Sequence, residues 1–206
     1  MTTMKLTVTT FVTLDGVMQG PGGPTEDTDG GFGLGGWLVP YFDEETGAFI
    51  TDIFDRVGAF LLGRRTYEIF ASHWPHVTDP SDPVASKLNS LPKYVASRTL
   101  DTVDWAGAAL IEGDVPDAVR RLKDAPGEGE LQVHGSAGLI QTLLAEDLVD
   151  EFNLLVFPVV LGTGKRLFGA GTAPAALSLS SARATGSGVV LHTYRRAGEL
   201  KQGTIE

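Results

Sequence analysis

The sequence predicts an α/β protein: a mainly parallel mixed sheet with helices on both faces. Three observations carry that reading. Short β-branched or apolar runs alternate with stretches of helical apolar spacing along most of the chain. Three of those runs end in glycine or small polar residues, at Gly63, Ser97 and Gly135. The last two runs are joined by a glycine turn, which adds an antiparallel hairpin at one edge.

The elements follow in order. Lys5 to Leu14 sets Leu6, Val8, Phe11, Val12 and Leu14 among threonines, a β-branched density that favours a strand. A glycine-rich tract runs from Gly16 to Gly36, longer than an ordinary connection, and Trp37, Tyr41 and Phe42 after it argue for a loop that packs. From Asp43 to Val57 the apolar residues fall at helical spacing. Ala59–Leu62 is a short strand stopped by Gly63, and Arg64–Ser72 is the helix it feeds. A polar, Pro-rich loop from His73 to Pro83 leads to a short helix at Val84–Ser90, a strand at Lys93–Ser97 and another at Ala108–Ile111. Pro116 opens a helix that Pro126-Gly127 ends. Glu130–His134 is a strand, Gly138–Leu148 a helix, and Asp150–Leu161 a long strand with Pro158 near its end. After a loop from Gly162 to Gly171, the strands Ala176–Ala184 and Gly188–Arg196 close the sheet, and residues 197–206 form a polar tail expected to fray.

Composition narrows the function. A chain of 206 residues is one domain on a prior of roughly 100–200 residues per domain, so residues 1–206 are read as a single unit. The formal net charge of −10 opposes binding to nucleic acid or to an anionic membrane. The absence of cysteine excludes disulfides, zinc–thiolate sites and a thiol nucleophile. No apolar run approaches the roughly 20 residues of a membrane span, and the N-terminus alternates as a strand rather than as a signal peptide. The reading is a soluble, cytoplasmic protein with a small-molecule ligand and no bound metal.

Candidate chemistry gathers at the strand ends, where ligands bind in such sheets. In LLGRRTYE, Gly63 hands over to Arg64, Arg65 and Thr66 in a first helical turn, whose free N–H groups and dipole favour an anion. In HGSAGL, Gly135, Ser136, Ala137, Gly138 and Leu139 allow close approach of a ligand to the backbone. Ser97 and Arg98 add a hydroxyl and a guanidinium beside the first site. Asp15 precedes a turn, and Asp43 stands at a helix start, where a cap is the commoner role. GTGK in the late loop lacks the glycine and the hydroxyl residue that a P-loop requires. HGSAG differs from the hydrolase elbow by His134 in place of glycine, and His192, the third member of a Ser136–Asp150–His192 order, falls inside a strand. His73 and His76 lack metal-ligand spacing.

Taken together, FVTLDGV, LLGRRTYE, HGSAGLIQTLL and FPVVLGTGKRLF resemble, in that order and spacing, the dihydrofolate-reductase-like fold, and more closely the reductase domain of bacterial riboflavin biosynthesis and its stand-alone relatives. The resemblance spans Met4 to Arg196. It implies a three-layer sandwich and an NADPH site. Gly63, Arg64, Arg65 and Thr66 would lie under the pyrophosphate and near the 2′-phosphate, and Ser97 and Arg98 would flank the adenosine ribose, with Arg98 or Arg64 reading the 2′-phosphate. Gly135 to Leu139 would run under the pyrophosphate and nicotinamide, which Val17 and Met18 would cover. It implies hydride transfer to a pyrimidine-like, pterin-like or carbonyl-bearing substrate, with Asp43 or Glu44 as the catalytic carboxylate that anchors it and Asp15 as another polar contact, and a homodimer. The alternative is a non-catalytic dinucleotide- or flavin-binding module of the same fold.

Overall fold

A computed structural model describes residues 3–205. The strands are β1 (Lys5–Thr13), β2 (Val57–Gly63), β3 (Lys93–Ala96), β4 (Ala108–Leu110), β5 (Glu130–His134), β6 (Glu151–Phe157), β7 (Leu177–Ala184) and β8 (Val190–Arg196). The helices are α1 (Glu44–Phe54), α2 (Arg64–His73), α3 (Pro83–Ser90), α4 (Val115–Asp124) and α5 (Ala137–Ala145). All eight strands join one sheet in the order β4-β3-β2-β5-β1-β6-β8-β7. The first six in that order run parallel, and β8 pairs antiparallel with both β6 and β7. The mainly parallel sheet with a terminal hairpin is the architecture the sequence predicts.

Period-two alternation assigns the faces. Leu6 and Val8 of β1 and Leu131 and Val133 of β5 pack with Val119 of α4 and with Leu139, Ile140 and Leu143 of α5. The opposite face carries Phe60, Leu62 and Val95 against Phe54 of α1, Tyr67 of α2 and Leu88 of α3. A third cluster joins Leu155, Phe157 and Leu191 to Val17, Phe32, Trp37 and Leu38. The glycine-rich tract is therefore part of the core. Trp37 Nε1 fixes it further by donating to the Gln19 carbonyl at 2.8 Å.

Two expectations are corrected. The long strand ends at Phe157 instead of continuing to Leu161, because Pro158 has no N–H to donate to the ladder. The tail does not leave the sheet at Ala197: Ala197 N donates to Ala176 O at 2.9 Å and Ala176 N to Gly198 O at 3.1 Å. Among the described residues no helix is long and apolar enough to cross a membrane.

Lys93, wholly buried at the start of β3, ties the end of α3 to the sheet. Its Nζ donates to the carbonyls of Leu88 at 2.6 Å and Leu91 at 2.7 Å and lies 4.6 Å from the Trp105 ring centroid. Burial pushes its pKa down to about 8. The unfolded chain holds this proton up to about pH 10.4, so between about pH 8 and 10 the unfolded state binds more protons and stability rises with pH. Urea denaturation at pH 8 and pH 10 should show the stability difference between the wild type and Lys93→Met growing in favour of the wild type. A difference independent of pH contradicts this assignment.

Candidate functional site

The chain winds outward from two neighbouring strands. From β2 it proceeds through α2 to β3 and β4, and from β5 it proceeds through α5 over β1 to β6. Open α/β sheets bind ligands at such a reversal. A crevice of about 1230 Å³ lies there, lined by the carboxyl ends of β1, β2, β3 and β5.

The β2–α2 and β5–α5 junctions are bonded to each other. Ser136 takes a left-handed conformation, φ 62° and ψ 48°. Its Oγ accepts from Gly63 N at 3.0 Å, and Thr66 Oγ1 accepts from both Ser136 N and Ser136 Oγ at 3.0 Å. Ser136 stands over Gly63: a Cβ built there would touch the Ser136 side chain at 3.4 Å, an ordinary van der Waals contact.

Helix capping separates these two helices from the others. Asp43, Asp82 and Asp114 cap α1, α3 and α4 by accepting first-turn N–H bonds. α2 and α5 have no side-chain cap. Their N-termini point at the crevice with donors to offer and a positive dipole end. The guanidinium nearest to them on α2, Arg64, is half-exposed and 3.9 Å from Glu68. Arg98, after β3, is exposed and has no hydrogen bond or ion pair among the described residues. Ser97 Oγ accepts from Thr99 N and Leu100 N and so shapes the loop that presents Arg98.

The other cations of the crevice are already paired. Arg65 meets Asp27 at 3.1 Å and Asp29 at 3.0 Å, and Lys165 meets the same carboxylates at 2.7 and 3.0 Å. Arg166 is bound by Asp15. Arg65 is thus placed in the crevice as the sequence suggests, but as one jaw of a clasp on the glycine-rich loop.

Of the residues singled out from sequence, Met18, Gly63, Arg64, Arg65, Thr66, Ser97, Arg98 and Gly135 to Leu139 all line this one crevice. Val17 does not: it is wholly buried in the core under the loop. Neither carboxylate does. Asp43 accepts from Thr46 N at 2.8 Å and Thr46 Oγ1 at 2.7 Å, which holds it well below the usual carboxylate range, and it also takes Ser187 N. Asp15 accepts from Thr13 Oγ1 at 2.6 Å and from Gly162 N at 2.8 Å, contacts that outweigh burial and lower its pKa to about 2. Both are fastenings. The hydrolase order is also taken apart, since His192 is on β8, three strands from β5.

Three groups escaped the sequence reading. Glu26, in the loop, lines the crevice with its pKa raised by burial. His134 lines it too, buried against Phe54 and Phe60, and burial pushes its pKa down to about 4. An apolar wall from α1 and α2, including Phe54 and Phe70, completes it. These residues come from separate elements with no shared motif; the one local signal was a polar Glu130-Gln132-His134 face on a buried strand.

Comparison with known proteins identifies relatives of the whole chain. The RibD C-terminal domain model matches residues 4–191. The Bacillus subtilis (strain 168) protein YyaP is 32% identical over 185 residues, covering 89% of this chain and 90% of YyaP. YwjB of the same organism is 30% identical over 159 residues, 77% of this chain and 85% of its own length. A Shewanella sp. PV-4 structure described as a riboflavin biosynthesis protein superposes with a TM-score of 0.71 at 23% identity, covering 94% of this chain and 99% of that one. A pyrimidine reductase-like protein from Corynebacterium diphtheriae superposes at 0.58 with 13% identity, covering 95% and 93%. The two superpositions share the fold.

The clasp is testable. Burial alone would raise the Asp27 pKa, but Lys165 and Arg65 outweigh it and hold it below its ordinary value. The clasp is therefore intact above about pH 4 and lost as pH falls through the lowered value. Asp27→Asn at neutral pH should speed amide hydrogen exchange across residues 20–36 severalfold and leave β1 and β5 unchanged. Unaltered exchange in the loop would show that its core packing alone holds it.

Proposed function

The chain belongs to the RibD C-terminal domain family, and on that footing we propose that it is an NADPH-dependent reductase acting on a small heterocyclic or carbonyl-bearing molecule. One observation carries the cofactor assignment: on a protein of net charge −10, two guanidinium groups without strong partners flank two uncapped helix N-termini in a single crevice. That donor set suits a phosphorylated dinucleotide, with backbone N–H groups for the pyrophosphate and arginine for the 2′-phosphate. A crevice of about 1230 Å³ exceeds the upper end of single-ligand pockets, roughly 1,000 Å³, and so suits a cofactor and a substrate together.

When bound, the nicotinamide supplies the hydride, and the protein supplies orientation and exclusion of water. Gly135 to Leu139 and Gly63 to Thr66 hold the pyrophosphate side, and Arg98 and Arg64 hold the 2′-phosphate. Met18 and the clasped loop cover the reacting end. Glu26 lines the crevice with Oε2 held by Gly22 N and Gly23 N, and its other carboxyl oxygen, on a group whose pKa burial raises, would deliver the proton to the reduced substrate. The same reading carries a cytoplasmic setting and a homodimer, with no nucleic-acid partner.

Calorimetric titration should find NADPH bound at least tenfold more tightly than NADH, and Arg98→Ala or Arg64→Ala should remove most of that preference, the scale expected of a charge-assisted hydrogen bond. Equal affinity for the two nucleotides, or no binding by folded protein, overturns the assignment. Glu26→Gln should lower kcat by about 10²-fold with NADPH affinity within twofold, the range of general acid catalysis. An unchanged kcat assigns the proton to another source.

A further inference from the structure

The tip of the glycine-rich loop is held by different forces from its neck. At the neck, Gly36 N donates to Gly20 O at 2.8 Å and Leu38 N to Pro21 O at 3.2 Å. Phe32, Trp37 and Leu38 are buried in the core beside these bonds. No side chain of residues 22–31 is buried. The hydrogen bonds and ion pairs that tie this tip to the rest of the protein are the clasp and the Gln19 amide, whose Nε2 donates to Asp27 O at 3.2 Å and to Asp29 O at 3.0 Å.

The clasp occupies cations that a phosphate would otherwise use. Arg65 of α2 and Lys165 of the loop after β6 converge on both Asp27 and Asp29, at 2.7 to 3.1 Å. Arg65 and Asp29 are nearly half-exposed, so their pair is solvated and screened by salt. The carboxylates take none of the first-turn amides of α2, which stays uncapped. A phosphate group in their place would meet the same two cations with more charge and would add those amides. Of the neighbouring charges, Glu26 is turned onto Gly22 N and Gly23 N, and Arg166 is held by Asp15.

We propose that residues 24–31 are a strap. Asp27 and Asp29 hold the place of an oxyanion on Arg65 and Lys165, and a phosphate or pyrophosphate group displaces them and frees the tip while the neck stays closed. The strap acts through these charges alone and so goes beyond the reductase reading.

The probe is inorganic pyrophosphate at low ionic strength, titrated by calorimetry and followed by amide hydrogen exchange. Saturating the wild type should speed exchange of residues 24–31 severalfold and leave residues 32–38 and β1 unchanged. Asp29→Asn should bind pyrophosphate about tenfold more tightly than the wild type. Asp114→Asn takes the same charge from the crevice lining and keeps a capping side chain on α4, and should change the affinity less than twofold. Cooperative thermal unfolding of each variant establishes that it is folded. Exchange of residues 24–31 that is slowed or unaltered by pyrophosphate overturns the proposal. So does an Asp29→Asn affinity no tighter than that of the wild type or of Asp114→Asn, or no pyrophosphate binding by either protein. The same exchange experiment with NADPH separates the sources of the anion. A freed tip with NADPH assigns it to the nucleotide, and a tip freed by pyrophosphate alone assigns it to another phosphate-bearing ligand; both support the strap. NADPH binding with a tip indifferent to pyrophosphate sinks the strap alone. A tip freed by pyrophosphate with no NADPH binding supports the strap and sinks the reductase.

Discussion

The crevice depends on a contact between two hydroxyls, Thr66 Oγ1 and Ser136 Oγ, 3.0 Å apart. α2 and α5 lie on opposite faces of the sheet, but each follows one of the adjacent parallel strands β2 and β5, so their N-termini start side by side. The Thr66–Ser136 bond locks them in that place, and Ser136 Oγ also takes the Gly63 amide. Ser136 holds a left-handed backbone that costs a non-glycine residue roughly 1–2 kcal/mol. The bonds from Gly63 and to Thr66 offset that cost. With Ser136 occupied in this way, the first-turn amides of both helices stay uncapped, and two dipoles converge on one space.

Electrostatics then divides that space. The protein is acidic, and three of the five Lys and Arg residues lining the crevice are held by its own carboxylates, Asp27 and Asp29 of the glycine-rich loop and Asp15 just before it. What remains is positive only at the β2 and β3 ends. Away from those ends the lining includes Phe54, Phe70 and Trp74, the acids Glu26, Asp27 and Asp29, and His134, which burial holds neutral. The clasp by Asp27 ties the glycine-rich loop to α2 and, while closed, removes Arg65 and Lys165 from competition for phosphate.

The strand–glycine–helix junctions were legible because small residues at a strand end have a local cause, the close approach of chain segments. Gly63, Ser97 and Gly135 came from that signal, and the structure brings them to one crevice. The position of β5 between β2 and β1 was not legible, since pairing Leu6 with Leu131 or Gln132 with Phe60 is a long-range event without a local mark. Asp43 and Asp15 drew attention as carboxylates beside a glycine tract, but caps and turns select the same residue type, and here the cap and the turn won. Glu26, Asp27 and the Phe54–His134 ring contact lay hidden for the converse reason: their roles arise from neighbours far away in sequence.

The central claim is that the β2, β3 and β5 ends form one nucleotide-phosphate site. It is tested most directly by mapping backbone amide shifts of ¹⁵N-labelled protein on addition of NADPH. The account predicts the largest changes at residues 63–66, 97–99 and 135–139 together, with Asp15 and Asp43 undisturbed. Changes confined to one junction, centred elsewhere on the surface, or absent at saturating nucleotide would contradict it.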